Sequence, residues 1–360
     1  GVADPETIEQ VEGALDALPE TDSALRARLL ARLADSLHVA ADEERRSEIS
    51  AEAVAMARRL GDPDTLAVTL LARHSALLHI DHLDERLEIA SEQLKLARER
   101  RRTEMLAMGL HWRIFDLVEL GDGQGARRDE TELAAVAADL RQPLYRYLDR
   151  CWQGVWAQID GRLEEADQIS ADAYAIGRRA GARTAGSTRL GALIPIRRDQ
   201  GRLGEMVEDV RQIVTEHPWI TTWRGVFPLV LVEGGHADEA RAVIDELDDE
   251  GLDQIPRDLF WLTTMAVLAE AVARVGSVDQ RERVYKLLEP HRDRCVPASL
   301  AACWGSVAAV LGRLALALDR PADAVEHFER AAEAEERLGA PGALARTQDD
   351  LARAREALAA

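Results

Sequence analysis

The chain has 360 residues, 47% of them hydrophobic and 31% charged, so it holds enough apolar material for a core and is not a disordered segment. Its 65 acidic residues against 45 Lys and Arg leave a formal charge of −20, a field that opposes nucleic acid phosphates and anionic membranes. Direct nucleic acid binding and membrane attachment are therefore not expected, and 3 Cys in an odd count exclude a disulfide scaffold and fit a reducing, cytoplasmic setting.

Residues 1–22 read as a lead helix, and their opening Gly1-Val2-Ala3-Asp4-Pro5 has neither the basic nor the apolar stretch of a secretory leader. From residue 23 the pattern becomes periodic. One series of helix breakers runs through Gly121-Asp122, Gly161-Arg162, Gly201-Arg202, Gly235-His236, Gly276-Ser277 and Asp319-Arg320-Pro321, at spacings of 40, 40, 34, 41 and 43 residues. A second series interleaves with it: Gly61-Asp62-Pro63, Gln142-Pro143, Gly181, Pro218, Pro256, Pro297 and Gly339-Ala340-Pro341. Each period of about 40 then holds two helices and two turns, because Gly ends a helix in a left-handed cap and Asp or Ser before Pro opens the next.

Between the breakers apolar residues recur at helical spacing, as in Ala237, Ala240, Val243, Ile244 and Leu247, and no run alternates with period two as a strand would. Small residues stand where paired tetratricopeptide helices approach closely: Gly154, Ala166 and Ala173 in one repeat, Gly312, Ala324 and Ala331 in another. The expected fold is all-α. It is a tetratricopeptide-like, right-handed superhelical solenoid of about eight helix pairs over residues 23–339, with 340–360 as a C-terminal capping helix. Leu300 to Leu318 contains only one charge, Arg313, but its many Ala, Gly and Ser residues suit a buried solenoid helix better than a membrane span.

Several stretches carry a further signal: RHSALLHIDHLDERLEIA (73–90), WRIFDLVELGD (112–122), LRQPLYRY (140–147) and HRDRCVPASLAACWGSV (291–307). They resemble the tetratricopeptide-like C-terminal regions of large actinobacterial ATPase regulators, both LuxR-type transcription factors and relatives linked to a nucleotide-cyclase domain. The resemblance implies a sensing or scaffolding region covalently joined, in the parent chain, to an ATPase or other regulatory module. No phosphate-binding G-x-x-x-x-G-K-[ST] loop and no basic helix-turn-helix stands in these residues themselves.

Candidate chemistry is sparse. His74 and His79 are five residues apart, roughly 140° around a helix, so the His74, His79, His82 group is a poor metal set, and no metal or cofactor is expected. Cys295 and Cys303 are expected on different helices of one turn, and neither they nor Cys151 has a partner at the spacing of an activated nucleophile. The 7 Trp fall in or at the start of first helices, with Trp261 and Trp304 in equivalent places, and most are expected to fill the core between repeats. Template positions that face a concave groove select His79, His111, Phe115, Cys151, Gln158 and Arg198, with Asp199, Glu270, Arg274 and Arg313 further along. Trp112, Trp152 and Trp156 join the candidate binding residues as aromatic anchors. Pro195 and Pro228 lie inside first helices and should bend or shorten them. The expected function is thus a non-enzymatic sensor or interaction domain of a cytoplasmic regulator, holding a small effector or a protein segment in its groove. The alternative is a docking or self-association scaffold without a small ligand.

Overall fold

The computed structural model describes residues 5–37, 43–217, 220–298 and 300–360. Among the described residues eighteen α-helices follow one another: α1 (Pro5–Asp16), α2 (Ala24–Ser36), α3 (Glu43–Leu60), α4 (Pro63–Ala76), α5 (Leu83–Glu99), α6 (Thr103–Leu120), α7 (Gly123–Leu140), α8 (Pro143–Ile159) and α9 (Leu163–Arg179). They continue as α10 (Ala185–Asp199), α11 (Val207–Glu216), α12 (Thr221–Glu233), α13 (Ala237–Glu250), α14 (Trp261–Val275), α15 (Val278–Leu288), α16 (Val307–Ala317), α17 (Pro321–Leu338) and α18 (Pro341–Ala359). The eight pairs α2–α3 to α16–α17 match the eight expected repeats, with α1 leading and α18 closing the series. The fold is a helical-repeat solenoid in class, since pairs contact their own partner and the first helix of the next pair, as α2 meets both α3 and α4. Residues 1–4 of the expected lead helix, the breaker Pro218, and Trp219 lie outside the described residues.

The breakers act as their chemistry dictates. Gly61 ends α3 at φ +64, and the Asp62 carboxylate then accepts the backbone N–H of Asp64 at 3.2 Å while Pro63 opens α4. Where the series lacks glycine, Arg101, Arg141 and Asp319 take the left-handed turn instead, at φ 52, 53 and 58. The small-residue positions hold the helix pairs together. A Cβ on Gly312 would stand 2.6 Å from the Phe328 ring, and Ala324 and Ala331 are fully buried beside it, so α16 and α17 meet almost backbone to backbone. On α13 the apolar stripe Ala240, Ile244 and Leu247 is buried and Asp238, Arg241 and Asp245 face outward, as the periodicity requires. Pro195 and Pro228 lie inside α10 and α12, both buried.

The chain divides into two compact units, Gly1–Asp116 with Arg127–Arg146, and Leu117–Ala126 with Tyr147–Ala360. In the first, Leu15, Leu33 and Leu37 make one core, and Val54, Leu70, Leu77 and Ile89 make the next. The turn between α6 and α7 belongs to the second unit because it lies directly on α17: a Cβ on Gly123 would strike the Leu338 carbonyl at 2.0 Å.

One expectation fails in the second unit. Residues 295–298 and 300–306 are not helical. Strand β1 (Cys295–Ala298) pairs antiparallel with β2 (Ala302–Ser306), Pro297 facing Cys303 and Cys295 facing Ser306, and α16 starts only at Val307. Cys295 and Cys303 therefore sit on the two strands of one hairpin rather than on two helices, and Trp304 is a strand residue with no equivalence to Trp261 at the start of α14. The physical reason is local. Pro297 removes an N–H and drives Val296 out of helical geometry, while Gly305 at φ +110 and the Ser306 cap, which accepts the Ala309 N–H at 3.2 Å, place the helix start four residues after Cys303.

Candidate functional site

Two clusters gather candidate groove residues, one in each unit. In the first unit His111, Trp112, Phe115 and Asp116 project from α6 toward His74 of α4 and Arg86 of α5. The His74 Nε2 lies 2.6 Å from Asp116 Oδ2, and an Arg86 guanidinium nitrogen lies 3.4 Å from Asp116 Oδ1. All three side chains are essentially excluded from water. Trp112 covers the group, with its ring centroid 5.6 Å from His74 and 4.7 Å from His111, and Phe115 meets Trp112 edge-on at 6.4 Å. Burial, and then the neighbouring His74, push the His111 imidazole down to about 3, so it is neutral throughout the physiological range. The His74 Nδ1 is buried without a hydrogen-bond partner. With only Trp112 partly open to solvent, this cluster ties α4, α5 and α6 together. His79 caps the 3-10 turn Ile80–His82, with its ring facing Asp81 at 3.4 Å and Glu43 at 3.5 Å.

The second unit is built around the hairpin. The Gln158 side-chain oxygen on α8 accepts the Cys303 backbone N–H at 3.1 Å, and the Thr263 hydroxyl on α14 donates to the Pro297 carbonyl at 2.9 Å. The Trp304 indole N–H donates to Glu270 at 2.8 Å, and Arg294 at the foot of the hairpin pairs with Glu119 of α6. The Arg198 guanidinium stacks 3.6 Å above the Trp304 ring and approaches Glu270 at 3.4 Å. Arg313 completes the centre, 3.0 Å from Glu270 and 2.8 Å from Asp350. Arg346 of α18 reaches Asp199 at 3.1 Å. Burial would raise the Glu270 carboxyl, but Arg313, Arg198 and the Trp304 indole outweigh it and hold the acid below its ordinary range. Desolvation, together with Arg198 and Arg313 nearby, lowers Arg346.

Arg198, Asp199, Glu270 and Arg313, all assigned to a groove by the repeat template, thus do converge, and what they hold is the chain's own hairpin. Arg274 instead pairs with Glu233 at 2.5 Å. Gln158 reads a backbone N–H, the kind of contact a groove residue makes to an extended peptide. Trp152, Trp156, Trp223, Trp261 and Trp304 are all buried, whereas Trp112 is half-buried. Sequence reasoning does not single out Thr263, Trp304, Arg346 or Asp350 as members of one network, nor Arg86 and Asp116 as partners of His74. The one signal for them is a carboxylate set among apolar residues on a helix, Asp116 within IFDLV and Glu270 within VLAEAV.

All three cysteines are free and buried. Desolvation pushes the Cys151 thiol up to about 12 and Cys303 up to about 11, with Cys295 also raised well above the ordinary value. Ellman's reagent at pH 8 should therefore find no prompt thiol in the native protein and three after urea unfolding; one fast-reacting native thiol would contradict this burial. Among the described residues no group of three or more His, Cys, Asp or Glu is placed to hold a metal ion, and no helix is long and apolar enough to cross a membrane.

No protein-family model matches the chain, and no curated protein matches it either. It is similar to a solved structure described as a circular tandem repeat protein with novel repeat topology and enhanced subunit contact surfaces, at 16% identity and a TM-score of 0.22 over 98% of this chain and 89% of the other. Likeness at that level carries no argument about function, which rests on the residues themselves.

Proposed function

We propose that this chain is a non-enzymatic helical-repeat interaction domain, the sensing or docking part of a larger regulator, whose inner face in the second unit recognises an extended protein segment. The hairpin supports this reading. Gln158 and Thr263 satisfy the outward backbone groups of Cys303 and Pro297, while Trp304 is seated between Arg198 and Glu270. Side chains that hydrogen-bond a strand's backbone and enclose one aromatic anchor form a peptide-recognition arrangement, occupied here in cis. The joined ATPase module belongs to the resemblance carried by residues 73–90 and 291–307, and the cytoplasmic setting to composition.

A peptide of residues 294–307, supplied in trans, tests the reading. It should bind saturably to the Trp304→Ala chain, in which the hairpin has lost its anchor, and leave the wild type untouched. Where Trp304→Ala lowers helical content, Cys303→Pro loosens the hairpin instead, removing the N–H that Gln158 accepts while leaving Gln158, Thr263 and Glu270 in place to bind the peptide. Absence of binding to a folded variant of either kind would remove the inner face as a peptide-recognition surface.

A further inference from the structure

The seat in the second unit makes a different demand at each of three successive positions of the strand it holds, Trp304, Gly305 and Ser306. Gln158 and Thr263 touch only backbone groups, of Cys303 and Pro297, and so accept any extended segment. Selection must come from the side chains beyond them. At the first position the Glu270 carboxylate accepts the Trp304 indole N–H at 2.8 Å, while the Arg198 guanidinium lies 3.6 Å above the ring. A carboxylate only accepts, so it asks for a ring with a donor on its edge, and Trp is also the ring that a cation holds best. Phe offers the face without the donor.

At the second position the backbone decides. Gly305 stands at φ +110, where L-residues with side chains are strained, and a Cβ there would touch Glu335 Oε1 at 3.5 Å and Ala343 at 3.9 Å. The third position faces a buried acid on α17. Ser306 and Glu335 are each 1% exposed, and the Ser306 hydroxyl donates to Glu335 Oε1 at 3.2 Å. The other carboxyl oxygen, Oε2, is buried with no hydrogen-bond partner, and burial, opposed by Thr347 and Ser306, raises the acid above its ordinary range. Removing the Ser hydroxyl takes a donor from a carboxyl that is already short of one.

We infer that the partner segment taken by this face is an extended strand carrying Trp-Gly-Ser, an inference that rests on the peptide-recognition reading. Glu270 and Arg198 select the Trp, backbone at positive φ selects the Gly, and Glu335 selects the Ser. Trp-Gly occurs once in the chain, at 304–305, so no other segment of the protein competes for the seat. The chain's own copy is tied at both ends, since Arg294 pairs with Glu119 and Ser306 caps α16 directly by accepting the Ala309 N–H at 3.2 Å. A second copy's hairpin carries the same tethers. The occupant assigned is therefore a segment of another protein, free at both ends, that takes the seat when the hairpin is loosened.

Isothermal titration of a folded, hairpin-loosened full chain, Trp304→Ala or Cys303→Pro, tests it with the peptide of residues 294–307 and the same peptide carrying Trp304→Phe, Gly305→Ala or Ser306→Ala. The native peptide should bind most tightly. Trp304→Phe should weaken it by about ten- to hundredfold, the size of one hydrogen bond to an ionised acceptor. Gly305→Ala should weaken it by about fivefold or more, because a methyl must be carried at positive φ, and Ser306→Ala by about five- to tenfold. Adding Glu335→Met to the host chain should bring the native and Ser306→Ala peptides within about twofold of each other, a coupling that a merely structural Ser would not show. If no peptide binds, the peptide-recognition reading fails and this inference with it. If all the peptides bind within about twofold of one another, that reading stands and the Trp-Gly-Ser assignment is overturned. A wild-type chain that elutes as a dimer, and as a monomer with Trp304→Ala, would make the occupant a second copy's hairpin and overturn the assignment to another protein.

Discussion

Glu270→Gln should destabilise the second unit by about 2 to 3 kcal/mol, more than any single surface change, because it removes the carboxylate that Arg198 and Arg313 share and leaves each with one acid, Asp199 and Asp350. The native acid has 6% of its side chain exposed, lies 3.0 Å from Arg313 and 3.4 Å from Arg198, and accepts the Trp304 indole at 2.8 Å. Gln can still accept from the indole, so the loss isolates the charge rather than the shape. Urea unfolding followed by far-UV circular dichroism should show a lowered midpoint with most of the slope kept. Tryptophan fluorescence should report the hairpin leaving its seat at lower urea than in the wild type. The companion experiment is Glu270→Met with Arg313→Met, which removes one charge of each sign, leaves the Arg198–Asp199 and Arg353–Asp350 pairs, and should recover part of the loss, since a buried ion pair is worth little more than a well-packed apolar pair. An unchanged midpoint for Glu270→Gln would show that water already screens this network.

Acid should selectively weaken the first unit through His111. Its imidazole is held near 3 in the folded protein by burial and by His74, against about 6.5 in the unfolded chain. For a base whose folded value is depressed, the unfolded state takes up the proton first as pH falls. Stability is therefore complete above about 6.5 and declines from there toward about 3, at up to roughly 1.4 kcal/mol per pH unit. Between pH 7 and pH 5 the loss should approach about 2 kcal/mol. His111→Gln keeps a polar group of similar length without the titration and should flatten this dependence, whatever it costs at neutral pH. Equal pH profiles for His111→Gln and the wild type would assign the acid sensitivity to other groups.

The number of repeats and most turn positions are legible in the amino-acid order alone, because glycine and proline act within a few residues of themselves. Gly61 needs a left-handed φ whatever surrounds it, and Pro63 cannot donate to a preceding turn, so α3 and α4 are divided by local chemistry. Amphipathic stripes such as Ala240, Ile244 and Leu247 depend only on the helical period and are equally readable. The candidate groove residues are legible in part. The repeat template places Arg198, Glu270 and Arg313 on one inner face, and they do meet, because the repeat period puts equivalent positions of successive first helices side by side.

The identity of what they meet depends on the tertiary fold. Leu300-Ala301-Ala302 has the letters of a helix, and local propensity separates helix from strand there by only tenths of a kcal/mol per residue. The strand wins because Gln158, Thr263 and Glu270 supply hydrogen bonds to Cys303, Pro297 and Trp304 from helices 34 to 145 residues away in sequence. No short window of the chain contains those partners. The His74, Arg86 and Asp116 group is hidden for the same reason, its members 12 to 42 residues apart on three helices. Local stereochemistry thus sets where this chain turns and which stripe of each helix is buried, while long-range hydrogen bonding and charge pairing set what lies inside the repeats.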